Sequence, residues 1–323
     1  MTPQRLAWVA LATTLGIQVY TAMTSTVTAV LAPLIAPDLH IAPRWVGAFI
    51  GLVYLGAMVA SLTCGAFIER YGPIRVSQSA ALLCGFGVML MTFAQPSMLA
   101  LMVIAPIVMG LGYGPITPAS SQLLARTAPP ERMALTFSIK QTGVPAGAAL
   151  AGALMPALGT WLGWRGAFLV VAAFAVVVFV SAQPIRGALD ADRQSTRRVS
   201  LRSSFTQLAL IRRTPALLEL SLIGMTYSAT QVSLMSFLVV YLNESLGFGL
   251  VAAGLGLSAT TLGGVFGRIA WGAVADRAQA PQRVLGWIGL AASACGTITA
   301  AAQAAWSFGA IIAIVSVFGA TAI

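Results

Sequence analysis

Thr14, Gln18, Thr21, Ser25 and Thr28 follow one another at spacings of 4, 3, 4 and 3, so all five share one face of a helix. Ser221, Gly224, Ser228 and Gln231 repeat the stripe more weakly at 3, 4 and 3, with Ser221 and Ser228 standing 207 residues after Thr14 and Thr21. Hydroxyls and carboxamides placed like this hydrogen-bond a solute; without a base or a metal they catalyse nothing. Within an apolar helix such a stripe turns away from lipid, towards partner helices or a watery cavity. A single Thr or Ser is most often glue between helices. For the amides of Gln18 and Gln231, which need more partners, glue and cavity stay equally open.

Two further stretches carry polar groups. Gly110-Leu-Gly112-Tyr113-Gly114-Pro115-Ile-Thr117-Pro118 weakens a helix and frees carbonyls, with Tyr113 and Thr117 on one face. It reads as a break lining a transport site or as a packing kink. Lys140-Gln141-Thr142-Gly143-Val144-Pro145-Ala146-Gly147 places Gly143 and Gly147 four apart, a surface that permits close helix approach. Lys140 either attracts an anion or snorkels to lipid phosphates, and the embedded Arg268 poses the same choice. The candidate wall of a substrate cavity is therefore Gln18, Thr21, Ser25, Tyr113, Thr117, Gln141, Tyr227 and Gln231, with Lys140 and Arg268 as candidate anion contacts.

An enzyme is not expected. His40 is the sole histidine and falls in a loop, and no pair of deep carboxylates, metal-ligand cluster or phosphate-cradling loop is visible. No cofactor or metal is implied. Cys64, Cys84 and Cys295 sit in apolar runs without paired spacing, as packing residues do. Glu219 is the only acid placed within a span, so no ionisable relay is visible at mid-span.

The elements that must position these groups are membrane helices. Of the 323 residues 58% are hydrophobic and 8% charged, with a mean hydropathy of +0.89, against about 25% charged for a soluble domain. Apolar runs predict ten spans near 6–34, 46–68, 76–93, 98–124, 135–158, 166–183, 216–241, 250–274, 284–302 and 306–323. The run after Arg5 continues too far for a signal peptide and reads as the first span. A basic stretch over 184–215 divides six spans from four. Within it Leu201, Phe205, Leu208 and Ile211 recur at helical spacing, as an amphipathic surface helix or a basic tether. Of the 18 Lys and Arg residues, 15 fall on one side, while Arg44 and Arg165 fall on the other. The positive-inside rule places the N-terminus and the linker in the cytoplasm. It also explains the net charge of +10 without nucleic acid. The last span ends while still apolar at Ile323, so the chain is expected to be truncated relative to a complete bundle.

One loop occurs twice. Gly65-Ala-Phe-Ile-Glu69-Arg70-Tyr-Gly72-Pro-Ile-Arg75 is echoed 207 residues later by Gly272-Ala-Val-Ala-Asp276-Arg277. The stretch resembles the signature loop between spans two and three of the major facilitator superfamily: Gly65, Arg70, Gly72 and Arg75 match, Glu69 replaces Asp, and Pro73 and Ile74 replace basic residues. Gly143-Val-Pro145-Ala-Gly147 is similar to that family's fifth-span antiporter motif. Gly110 and Gly112 resemble its fourth-span glycines, with Pro106 where arginine is usual.

The resemblance implies an all-α, multi-spanning membrane protein of two pseudo-symmetric halves, residues 1–183 and 216–323, joined by the linker 184–215. It further implies a cavity lined by spans one, four, seven and ten, opened alternately by rocking of the halves. The expected function is secondary transport of a small organic solute across the inner membrane by a multi-pass monomer. The excess of cations favours an organic anion such as a carboxylate, and a proton or counter-ion is the candidate coupling partner. Drug or metabolite efflux, or a non-transporting sensor or inactive fragment, are the alternatives. In the repeated loop, Gly65 and Gly272 are expected to leave room for a neighbouring helix, while Glu69 and Asp276 cap or pair with it as a gate beside Arg70, Arg75 and Arg277. In the family the first loop's acid faces an eleventh span, beyond the ten read here.

Overall fold

The computed structural model describes residues 2–42, 45–98, 100–129, 132–194, 213–278, 281–303 and 306–322. Among these no strand occurs. The backbone follows the rule that polar main-chain groups in hydrocarbon must bond within their own segment. The first span is Pro3–Val30, and a short helix, Ala32–Asp38, follows it. The second is Trp45–Tyr71 and the third Pro73–Met91. The fourth is built from Leu101–Tyr113 and Ile116–Thr127, the fifth opens as Met133–Gln141, and Gly143–Leu189 completes the fifth and forms the sixth. The later spans are Pro215–Val240, Leu250–Ala278, Pro281–Ala300 and the shorter Phe308–Ala322.

At 47 residues, Gly143–Leu189 is about 70 Å of helix, more than twice the ~30 Å hydrocarbon core, so it cannot be one span. Gly163 divides it, with φ 72° and ψ 162°, a conformation that a β-carbon would disfavour. Eight described helices are long and apolar enough to cross a membrane; this division and Phe308–Ala322 bring the elements to the ten expected. The sixth span runs to Leu189, past the expected boundary at 183. The amphipathic helix proposed for Leu201 to Ile211 lies outside the described residues, as do the surroundings of Gly272 and the side chains of Asp276 and Arg277.

The arginine-rich end of the first six spans is held by the segment that leaves the sixth. Asp190 is fully buried, and its carboxylate accepts from the backbone N–H groups of Ile74 at 2.8 Å and Arg75 at 3.0 Å. These are orphan donors at the positive end of the third span. Gly72, at φ 94°, turns the chain there, and a β-carbon on it would lie 2.3 Å from the Asp190 Cγ. Arg126 of the fourth span pairs with Asp192 at 2.8 Å, and the Gln194 N–H donates to the Glu69 carbonyl at 2.8 Å. In the first copy of the repeated loop the close approach occurs at Gly72, while a β-carbon on Gly65 would meet open space. The carboxylate that caps the third span is Asp190, at the end of the sixth.

The opposite end has its own tie. Arg165 donates to Asp38 at 2.6 Å, to the Thr92 carbonyl at 3.2 Å and to the Ala94 carbonyl at 2.9 Å. Its guanidinium lies 4.2 Å over the Trp164 ring, and the Trp164 indole N–H also donates to Asp38, at 3.1 Å. Arg165 thus joins the short helix after the first span to the end of the third and the start of the sixth. Between the two ends, Tyr20 donates to the Val171 carbonyl at 3.2 Å and Gln78 to the Phe179 carbonyl at 2.8 Å.

Asp190→Ala should cost about 1–2 kcal/mol, the range of a lost helix cap, with Asp190→Asn recovering part of it. The check is thermal unfolding in detergent. At the other end, the hydrogen bond from Arg165 holds the Asp38 carboxyl below its ordinary value of 3.8. That stabilisation is complete above the ordinary value and is lost as pH falls through the depressed one. Because the pair is largely exposed, Asp38→Asn should cost only about 0.5 kcal/mol at neutral pH and remove that acid dependence, while Arg165→Ala costs more.

Candidate functional site

The polar stripe of the first span divides between two environments. Ser25 and its neighbour Thr26 line a cavity of about 250 Å³ near the middle of the bundle. Tyr113, Thr117 and Gln141 join them from the fourth and fifth spans, and Ser228, Gln231 and Arg268 from the seventh and eighth. Tyr54 meets Tyr113 edge to face at 6.3 Å on the same wall, while Ile50, Val53, Val232 and Met235 make it partly apolar.

Three expected wall residues do not reach this space. Gln18 is completely buried against the close-packed Gly143, and neither its amide nitrogen nor its oxygen has a hydrogen-bond partner in the protein. Thr21 turns its hydroxyl back to the Ile17 carbonyl at 3.0 Å. Tyr227 donates to the Leu285 carbonyl and so ties the seventh span to the ninth. Both hydroxyls found acceptors on helix backbone, a common fate for such groups between packed helices.

Lys140 is the larger surprise. Snorkelling would leave its ammonium at the surface, but the residue is 1% exposed. Its Nζ lies 3.3 Å from Gln141 Oε1 and 3.5 Å from Thr117 Oγ1, both on side chains of the cavity wall. These partners are neutral oxygens. Arg268 reaches the same cavity about 15 Å along its helix from Ala278, close to half the thickness of a hydrocarbon core. No Asp or Glu lines the cavity among the described residues.

The fourth span shows why the wall bends where it does. Pro118 has no N–H to give the Gly114 carbonyl, and the Ser61 hydroxyl of the second span donates to that oxygen at 2.8 Å. On the same stretch a β-carbon at Gly110 would lie 2.0 Å from the Val53 carbonyl, and one at Gly114 2.3 Å from that of Ala57. The glycines pack against the second span, and Tyr113 and Thr117 beside the break line the cavity.

The early and late spans meet along the first and seventh, the fifth and eighth, and the second and seventh spans, and two of these approaches are close. Gly152 and Gly254 face each other so closely that a β-carbon on either would lie within 2.5 Å of the other's carbonyl, and Ser258 donates to the Ala149 carbonyl at 2.7 Å. The second span meets the seventh where Phe237 packs on Gly47. The latter contact lies at the end away from the arginine-rich loops.

Comparison with known proteins fits this architecture. A metabolite transport protein of Haemophilus influenzae is 28% identical over 256 residues, which cover 75% of this chain and 61% of that protein. A multidrug resistance protein B homologue of Mycobacterium tuberculosis is 36% identical over 112 residues, 33% of this chain and 20% of the relative. The chain thus spans less than two thirds of either relative's length. Among solved structures, a bacterial homologue of the human lysosomal transporter Spinster, inward-facing and occupied, superposes with a TM-score of 0.72 at 18% identity, covering 100% of this chain and 73% of that one. A D-xylose–proton symporter gives 0.69 at 16% identity, covering 97% and 79%. At these identities the likeness is one of fold. The model of the Major Facilitator Superfamily matches residues 14–323, almost the whole chain, and the chain belongs to that family of membrane transporters.

Proposed function

We propose that this transporter moves a small organic anion, a carboxylate in the simplest case, through the cavity between Ser25, Thr117, Gln141 and Gln231. The observation that carries this reading is Lys140: an ammonium withdrawn from solvent directly behind the cavity wall, hydrogen-bonded to the neutral side-chain oxygens of the wall residues Thr117 and Gln141. Among the described residues Lys140 has no acid partner; a buried cation so placed costs several kcal/mol, and a bound carboxylate offsets that cost. Arg268 adds a second positive group on the opposite side, and the hydroxyls and amides supply orientation. The same cations disfavour a cationic solute.

The architecture is read as two halves, 1–183 and 216–323, joined by the basic linker 184–215, in a monomer placed in the inner membrane. The excess of arginine on one side supports a cytoplasmic N-terminus. The Phe237–Gly47 contact supports a state closed at the outer end, with the substrate leaving or entering from the cytoplasm. Alternating access then requires the Gly152–Gly254 surfaces to part. A proton or a counter-ion is the proposed coupling partner, and the response of flux to an imposed pH gradient decides between them.

Efflux is the second reading, favoured by the fifth-span Gly143-Val-Pro145-Ala-Gly147 stretch and by the mycobacterial relative. Uptake measured in right-side-out and inside-out vesicles separates it from import.

In proteoliposomes supplied with a panel of carboxylates, neutral sugars and amines, carboxylate flux should depend on Lys140. Lys140→Met should lower apparent affinity at least about thirtyfold, the cost of removing one partner of a buried charge pair. Neutral-solute flux that is indifferent to Lys140→Met would overturn the reading. Gly152→Leu places a bulky side chain against the Gly254 backbone, so it should slow transport of any substrate while leaving binding affinity within about threefold.

A further inference from the structure

A second hollow lies on the outside of the bundle, away from the substrate cavity. It is a groove of about 480 Å³ between the second and third spans, floored by Leu111 and Pro115 of the fourth. Its walls are apolar or small: Phe67 and Cys64 on one side, Val76, Ser79 and Leu83 on the other. The mouth is different, for there Tyr71 and Arg75 stand at the arginine-rich end. The Arg75 guanidinium lies 5.6 Å over the Phe179 ring and forms no ion pair among the described residues. Arg70 lies beside it in the chain, its guanidinium 5.3 Å over the Tyr71 ring.

The dimensions fit one leaflet. From Tyr71 back to Ala60 the second span rises about 16 Å, and from Arg75 to Leu83 the third rises about 12 Å. Half of a ~30 Å hydrocarbon core lies between these depths. The groove therefore begins at headgroup level beside Arg75, which pairs with no acid among the described residues, and ends near the midplane, with no other charged residue in its lining. This combination, an apolar slot the depth of one acyl layer under a positive mouth, matches an anionic phospholipid of the inner leaflet.

We propose that the groove between the second and third spans is a binding site for one anionic phospholipid, its acyl chain over Leu111 and its phosphate at Arg75. The proposal rests on the orientation argued above, which maleimide labelling of an Arg5→Cys variant in intact cells tests separately. The charge at the mouth selects against zwitterionic lipid, and the slot distinguishes a held lipid from the general attraction of a basic surface.

The test is native mass spectrometry of the full-length protein released from micelles containing either phosphatidylglycerol or phosphatidylcholine, with no transport assay involved. Wild type should retain one phosphatidylglycerol and lose phosphatidylcholine. Ser79→Trp, which fills the slot from its exposed side, should abolish retention. Arg75→Ala should weaken retention about fivefold, the effect of one juxtamembrane cation. Arg132→Ala, which removes another cation of the same face, should leave it unchanged, and thermal unfolding establishes that each variant is folded. Equal retention of the two lipids would overturn the proposal. So would retention by Ser79→Trp equal to wild type, or a loss in Arg132→Ala as large as in Arg75→Ala.

Discussion

A main-chain carbonyl without a donor in hydrocarbon costs several kcal/mol, and much of this bundle can be understood from where that cost arises and how it is met. The regular spans meet it internally. The fourth span cannot, because Pro118 leaves the Gly114 carbonyl open, and the second span answers with Ser61. For the Ser61 hydroxyl to reach that oxygen the two backbones must nearly touch, and the glycines at 110 and 114 allow it. The cavity wall formed by Tyr113 and Thr117 is then a consequence of main-chain hydrogen bonding as much as of side-chain placement.

The same accounting holds at the helix ends. The N-terminus of the third span presents free N–H groups, and a buried carboxylate 116 residues away accepts two of them. At the other end Arg165 collects the carbonyls of Thr92 and Ala94 together with Asp38. The first six spans are thus closed at both ends by contacts to the sixth. The cavity lies beside this closed unit, lined by Arg268 of the later spans and backed by Lys140 of the early ones through Thr117 and Gln141.

Much of this was legible in the sequence. Apolar runs gave the ten elements, and the Gly110–Pro118 break gave the bend in the fourth. Ser25, Tyr113, Thr117, Gln141 and Gln231, expected on a cavity wall, and Arg268, expected as an anion contact, stand around one space. Gln18 and Thr21, from the same polar stripe as Ser25, stand elsewhere, and so does Tyr227. Helical periodicity tells which residues share a face, but a face one helix long can cross from a cavity into a packed interface, as the first span does between Gln18 and Ser25. Lys140 was legible as a cation and illegible as a buried one, because its direction depends on the turn at Thr142–Gly143 and on the Thr117 hydroxyl of another span. Asp190 could not be matched to the Gly72 turn by any local rule. The signal available was weaker: a glycine needing positive φ directly before a proline-started helix, with no capping side chain of its own.

Gly163 joins the fifth and sixth spans with a single non-helical residue, which leaves no slack between them. A loop of several residues would absorb displacement; one residue transmits it. The fifth span touches the later spans at Gly152, Arg165 ties the start of the sixth, and Asp190 caps the third span just past its other end. Movement imposed at the contact between early and late spans is therefore carried along one stiff hairpin to both faces of the membrane. The first six spans have the mechanics of a crank rather than of a set of independent rods.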